Sequence, residues 1–133
     1  MKLDVAAAII IYENRILCMQ RKESNYSYIS KKFEFPGGKV EKNESFEDAL
    51  TRELKEEMDI DVKVTKDNYF ASISHSYPDF SLTMQAYLIH VKSNKFVMKE
   101  HLSYKWLEKA DLLTLDWVAA DLPIVKKVVE EVI

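Results

Sequence analysis

Both glycines of this chain stand side by side, Gly37 and Gly38, directly behind the aromatic stretch Phe33-Glu34-Phe35 and Pro36. A chain of 133 residues that otherwise does without glycine accepts the entropic cost there for a reason. Two adjacent glycines allow positive φ, or let a ligand come close to bare backbone. Helical signals follow. Ser45 is a good N-cap, Asp48 stands where the acid of a capping box would, and Phe46 opens an apolar series. The expected helix runs to Met58, about three and a half turns. At roughly 100° per residue, Phe46, Ala49, Leu50 and Leu54 share one side, while Asp48, Thr51, Arg52 and Lys55 share the other.

Glu53, Glu56 and Glu57 do not join the solvent side. Their spacing gathers them into one cluster at the edge of the apolar stripe, facing inward or into a cleft. The cluster lies in the last turn, where the helix dipole is negative, so the three carboxylates repel one another and the helix end. A positive partner is missing. Hard divalent cations take oxygen ligands, and Mg²⁺ in particular binds through one or two carboxylates together with waters and substrate phosphates. An isolated E-x-x-E-E would read as a surface helix with Glu and Lys pairs. The glycine pair in front and Arg52 within favour the metal reading.

The run Gly38, Glu44, Arg52-Glu53-Leu54, Glu56-Glu57 and Ile60 resembles the box that defines the Nudix hydrolases, with Glu44, Arg52, Glu53, Glu56 and Glu57 all in place. One position departs from the pattern: Asp59 stands where the family usually has the glycine that ends the helix in a left-handed turn. Asp is among the few non-glycine residues that tolerate that conformation. The resemblance implies an α/β fold of the Nudix type, an α/β/α sandwich with a mixed sheet between the box helix and a C-terminal helix.

Composition bounds the alternatives. With 47% hydrophobic residues, two glycines and three prolines, the chain reads as one folded domain spanning residues 1–133. Net charge is −3 with acids and bases interspersed, which argues against a nucleic-acid polymer as partner and leaves a metal-held nucleotide open. Cys18, the one cysteine, lies in an apolar run, cannot form an internal disulfide and suits a reducing cytoplasm. The run Val5 to Ile11 is too short for a membrane span and lacks a cleavage site. The expected setting is cytoplasmic, without a membrane partner, as a monomer or homodimer.

Taken in order, Leu3 to Tyr12 and Arg15 to Gln20 read as two strands about a tight turn at Glu13-Asn14. Glu23 to Lys32 is polar and reads as a loop over a site. Asp61 to Thr65, Tyr69 to His75, Phe80 to Val91 and Tyr104 to Leu107 have strand character, and Phe33 to Phe35 adds a short strand. Glu108 to Leu113 reads as a helical turn. Asp121 is a natural N-cap for a last helix with Pro123 near its start and Ile124, Val125, Val128, Val129 and Val132 as its apolar face.

Residues outside the box carry two readings each. Arg21, at a strand end, is a solvated loop arginine or a bidentate phosphate clamp; the resemblance to MutT-like members favours the clamp. Tyr77 is an edge-turn residue or a ring that stacks on a base. Glu100, ahead of Trp106, is a loop acid, or it resembles the acid that reaches the metal cluster from outside the box. Asp121 caps its helix or, as in the MutT-like branch, contacts the base; as an acceptor-only aspartate it would prefer cytosine or adenine. No His/Cys set has zinc spacing.

The resemblance therefore implies a nucleoside triphosphate pyrophosphohydrolase that releases a monophosphate and pyrophosphate, acting on (d)CTP or a modified or oxidised (d)NTP. Glu53, Glu56, Arg52 and Glu44 would be catalytic, with Glu53 as first choice of base and Glu44 paired with Arg52 as a brace. Gly37 through its carbonyl, Glu53, Glu56, Glu57 and Glu100 would hold Mg²⁺, with Mn²⁺ able to substitute. Arg21, Phe35, Gly37, Gly38, Tyr77 and Asp121 would contact substrate. Two rivals stand beside this reading. One is a hydrolase of another nucleoside diphosphate derivative: a dinucleotide, a nucleotide sugar or an RNA 5′ end. The other is a nucleotide sensor without catalysis.

Overall fold

The apolar run near the N-terminus becomes strand β1 (Lys2–Tyr12), and both layers of the fold are built on it. The computed structural model describes residues 1–132. Alternate side chains of a strand point to opposite faces. Ala6, Ala8 and Ile10 accordingly pack with Leu50, Leu54 and Met58 of helix α1 (Phe46–Met58), and Ala7, Ile9 and Ile11 pack with Ile124, Val125 and Val128 of helix α2 (Leu122–Glu131). A strand covered on both faces reads as a continuous apolar run. Burial of each large aliphatic side chain here contributes about 1.5–3 kcal/mol.

The remaining strands are β2 (Arg15–Gln20), β3 (Phe33–Glu34), β4 (Gly37–Lys39), β5 (Tyr69–Ser76), β6 (Ser81–His90) and β7 (Ser103–Glu108). The sheet runs β3-β2-β1-β6-β5, with β4 paired to β1 and β7 to β2. It is mixed: β1 and β6 are parallel from Lys2↔Ser81 to Ile11↔His90, whereas β4 is antiparallel to β1 through Val5↔Lys39 and Ala7↔Gly37. Together with α1 on one face and α2 on the other, this is the expected α/β/α sandwich.

Three local expectations are corrected. Asp61 to Thr65 is not a strand. Its alternation serves burial, since Val64 is buried and Val62 packs against the same cluster as α1. The Val64 amide, however, donates to Thr51 Oγ1 at 3.0 Å, so the backbone is satisfied by a helix side chain. The two glycines are less a free turn than the start of β4. At Ser45, Oγ accepts from the Asp48 amide at 3.0 Å, but Asp48 completes no capping box, because its carboxylate takes Lys63 at 3.3 Å.

The C-terminal end of α1 turns at Asp59, which is left-handed with φ 54° and ψ 35° and whose N–H reaches the carbonyls of Leu54 and Lys55. Aspartate tolerates this conformation at a cost glycine does not carry, and the exposed Lys55–Asp59 pair at 3.1 Å offsets little of it. Asp59→Gly is expected to raise stability by about 0.5–1 kcal/mol, visible as a higher midpoint in urea. A lower midpoint would show that the ion pair outweighs the backbone.

Candidate active site

Arg52 organises the helix side of the site. Its Nε and Nη2 donate to the two oxygens of Glu44 at 2.7 and 3.0 Å. Nη1 donates to Glu53 Oε1 at 3.0 Å and to Glu56 Oε2 at 3.3 Å, and Nη2 also reaches the Lys39 carbonyl at 3.2 Å. One planar guanidinium thus ties the loop before α1, strand β4 and two carboxylates of α1 together. The Arg52 hydrogen bonds, joined by the Glu41 amide at 2.9 Å, hold the Glu44 carboxyl at about 2, well below the usual range.

Glu53 lies directly against Gly38, where a Cβ would run into its carboxyl group. At Gly37 a Cβ would collide with the Ala6 carbonyl across the β1–β4 pair. The backbone of β1 therefore requires glycine at Gly37, whereas a side chain at Gly38 would displace the Glu53 carboxyl. Burial raises the Glu53 pKa; Arg52 opposes this, and the negative charges of Glu56 and Glu41 add to it. Glu57 is raised too, first by burial and then by Glu100, which lies close enough to repel it and to share a hydrogen bond. Lys99 Nζ donates to the Glu56 carbonyl at 2.8 Å and the Val97 amide to the Met58 carbonyl at 2.9 Å, so the segment carrying Glu100 is anchored to the last turn of α1.

A cleft of about 940 Å³ is lined by Gly37, Gly38, Glu53, Glu57 and Glu100, and also by Arg21, Phe35, Tyr77 and Asp121. The structure thus brings nine of the expected site residues to one cavity. Glu56, Arg52 and Glu44 are outside its lining. The Glu56 carboxylate, 57% exposed, turns to Arg52 instead. Among the described residues no three His, Cys, Asp or Glu side chains converge into a ready-made metal cage. What lines the cleft is an all-oxygen set, Glu53 with Glu57 and Glu100, of which Glu53 and Glu57 are raised in pKa first by burial and then by neighbouring carboxylates. Such a set suits a hard divalent cation of the kind that completes its shell with water and phosphate oxygens.

The other wall is built from segments far apart in sequence. Phe33 N donates to the Asp116 carbonyl and Val118 N to the Phe33 carbonyl, at 2.8 and 2.9 Å, which seats the approach to α2 beside β3. Asp121 is consequently buried, 5% exposed. Its Oδ2 accepts from the Phe35 amide at 2.8 Å, and burial with the nearby Glu34 charge pushes its carboxyl up to about 8. Asp121 occupies the N-cap position of α2 without capping it. Its backbone is already helical, and its carboxyl is engaged across the cleft. Arg21 pairs with Glu34 at 2.9 Å, and its Nε is buried with no partner among the described residues. Tyr77 is buried, accepts from the Ala120 amide at 2.9 Å and has Tyr28 stacked 5.1 Å away. One ring face is therefore occupied already.

Glu34, which accepts from Arg21 and meets His101 Nε2 at 2.8 Å, escapes sequence reasoning, as does Lys99. Alternation with Phe33 and Phe35 places Glu34 on the opposite face of β3 from two buried rings. That signal is present in the sequence, but its partners are not local.

Such a fold, with a helix-borne carboxylate cluster beside a glycine-lined cleft, defines a hydrolase of phosphoanhydride bonds. The chain belongs to the Nudix family: the NUDIX domain matches residues 2–128. It is 30% identical to the 8-oxo-dGTP diphosphatase of Escherichia coli K12, across 95% of both chains. It is 34% identical to the CTP pyrophosphohydrolase of the same strain, across 93% of this chain and 89% of that one. The solution NMR structure of MutT, a Nudix hydrolase of methicillin-resistant Staphylococcus aureus 252, is 37% identical, covers 98% of each chain and aligns with a TM-score of 0.76.

Because the Glu44 pKa is depressed in the folded chain, the Glu44–Arg52 pair stabilises the protein above the ordinary carboxylate range near 4.5 and loses that contribution as pH falls toward about 2. Glu44→Gln is therefore expected to lower stability at pH 7, and the gap to the parent should narrow steadily below about pH 4.5. Denaturant melts of both proteins between pH 7 and pH 3 measure this; a gap independent of pH would contradict it.

Proposed function

We propose that this chain is a metal-dependent pyrophosphohydrolase of nucleoside triphosphates, splitting them into monophosphate and pyrophosphate, with (d)CTP and oxidised (d)NTPs as its substrate class. The observation that carries the proposal is a single cleft lined both by Glu53, Glu57 and Glu100 and by Arg21 and Asp121. Carboxylates for a cation and phosphates, and a buried carboxyl for a base edge, share one cavity of nucleotide size.

A divalent cation, Mg²⁺ or Mn²⁺, would be held by Glu53, Glu57, Glu100 and the Gly37 carbonyl, with Glu56 joining from its place on Arg52; when bound it neutralises phosphate oxygens and makes water a better nucleophile. The chain's own groups do the rest. Glu53 takes the proton of the attacking water. Its raised pKa makes it a better base than an exposed carboxylate, and it is set toward Gly38 by the Arg52 Nη1 bond. Glu44 holds Arg52 and so acts on geometry. Arg21 faces the cleft with a guanidinium suited to phosphate oxygens.

Asp121 reads the base with the oxygen that Phe35 does not use. Ionised, it accepts from an exocyclic amine, as on cytosine. Protonated, as its high pKa favours near neutrality, it donates to a carbonyl edge. This dual capacity fits both relatives' named substrates and revises the expectation of an acceptor-only aspartate.

Pyrophosphate release measured over CTP, dCTP, ATP, dGTP and 8-oxo-dGTP with Mg²⁺, and dinucleotides as controls, tests the reading. Glu53→Gln and Glu57→Gln should each reduce kcat by about 10²–10⁴-fold while leaving the melting curve in place; unchanged kcat in both removes the assignment. For base selection, Asp121→Asn should lower the ratio of kcat/KM for CTP over 8-oxo-dGTP by about tenfold, one hydrogen bond of about 1.4 kcal/mol. An unaltered ranking returns Asp121 to a structural role on the Phe35 amide.

A further inference from the structure

Three segments meet at Glu34, a side chain to which the function proposed above gives no task. Alternation along β3 puts it on the face opposite the buried rings of Phe33 and Phe35, and β2 pairs with that strand through Met19↔Glu34 and Gln20↔Phe33. Arg21 follows directly on β2, its amide held by the Lys32 carbonyl at 2.9 Å. The approach to β7 is fastened to the same strand end: the Leu102 amide donates to the Gln20 carbonyl at 2.8 Å, and Ser103 Oγ donates to Gln20 Oε1 at 2.6 Å. His101 is thereby brought to Glu34 from 67 positions away. Arg21, Glu34 and His101 all line the cleft.

The two oxygens of Glu34 are divided between its neighbours. Oε1 accepts from Arg21 Nη1 at 2.9 Å, and Oε2 meets His101 Nε2 at 2.8 Å. A carboxylate only accepts, so Nε2 is the donor. Exposure of the side chains rises along the chain of bonds, from 14% at His101 to 21% at Glu34 and 37% at Arg21. The fixed end is therefore the imidazole and the free end the guanidinium. A carboxylate beside a phosphate contact has two opposed effects. It cancels part of the arginine charge, and it orders a long side chain that would otherwise have to be ordered by the ligand. Solvent screens the first effect at a partly exposed pair. The second is a binding cost that a preorganised side chain does not carry, and it outweighs the first here.

We propose that Glu34 and His101 are positioning residues for Arg21: His101 fixes the Glu34 carboxylate, and Glu34 sets the guanidinium in place before an anionic ligand arrives. Both act on the ground-state grip of Arg21, so their loss appears in KM and spares the chemical step. Identification of the anion as the phosphates of a nucleoside triphosphate rests on the function proposed above; the ordering of Arg21 does not.

The test uses the full chain with Glu34→Met, which keeps an unbranched side chain and removes both acceptors, His101→Leu, which removes the donor, and His101→Gln, whose amide can still donate to Glu34. Glu34→Met and His101→Leu should each raise KM for the preferred triphosphate about three- to tenfold with kcat within threefold of the parent, and His101→Gln should stay within about twofold. Placed on Arg21→Ala, each of the three changes should move KM by less than about twofold, because the group they position is gone. In ligand-free protein, 15N relaxation of the Arg21 Nε–H should give an order parameter near the rigid value of about 0.85 in the parent and below about 0.6 in Glu34→Met and His101→Leu. An unchanged or lowered KM, effects that persist on Arg21→Ala, or an Arg21 order parameter equal in parent and variants would overturn the assignment. Should Glu34→Met not fold, the two His101 variants carry the same comparison. If the parent hydrolyses no nucleoside triphosphate, the function proposed above fails and the order parameter alone decides the positioning.

Discussion

The guanidinium of Arg52 is the interaction on which the site depends. Glu44, Glu53 and Glu56 would repel one another, the last two toward the negative end of the α1 dipole, and Glu53 carries a burial penalty as well. One planar cation with five donors meets all three carboxylates and a strand carbonyl at once. A lysine could not do so, since its point charge has no fixed fork. The arrangement also distributes charge unevenly. Glu44 takes two of the bonds and is held ionised, whereas Glu53 receives one and stays above its usual pKa. A single residue thereby separates a carboxylate that braces from one that can exchange a proton.

Close packing sets the other limit. The β1–β4 pair brings Gly37 against Ala6, and the helix brings Glu53 against Gly38. Side chains at either glycine would push β4 from the sheet or Glu53 from the cleft. The alanines of β1 serve the same end: small residues at Ala6, Ala7 and Ala8 let strand and helix approach, and larger ones, Ile9 to Ile11, fill the core beyond them. The site therefore sits beside the small residues of β1, and its rigidity comes from the core behind it.

How much of this was legible in the sequence follows the range of the contacts. The helix from Phe46 to Met58, its Ser45 cap and the pairing of Arg52 with Glu44 all lie within a few turns of chain, where periodicity and spacing are informative. The left-handed turn at Asp59 was also readable, because so few residues tolerate it. Asp61 to Thr65 misled because alternation reports which side chains are buried and not what the backbone bonds to. Asp121 looked like an N-cap from its neighbours alone; what moved its carboxyl to the Phe35 amide was the pairing of Phe33 with Asp116 to Val118, a contact that no local pattern encodes.

The same division explains why reaction and selectivity differ in how they are written. Phosphoanhydride hydrolysis needs several carboxylates and an arginine at fixed spacing, and less than two turns of α1, from Arg52 to Glu57, carries four of these groups. Selectivity needs a shaped wall, and the cleft wall opposite the carboxylates is assembled from Arg21, Glu34, Phe35, Tyr77, His101 and Asp121, drawn from five separate segments. Asp121 shows how strongly such a wall alters chemistry: its carboxyl would be an ordinary acceptor on the surface. Burial beside Glu34 shifts it to about 8, within reach of neutral pH, so whether its carboxyl donates or accepts is set by the fold around Asp121 more than by the residue itself.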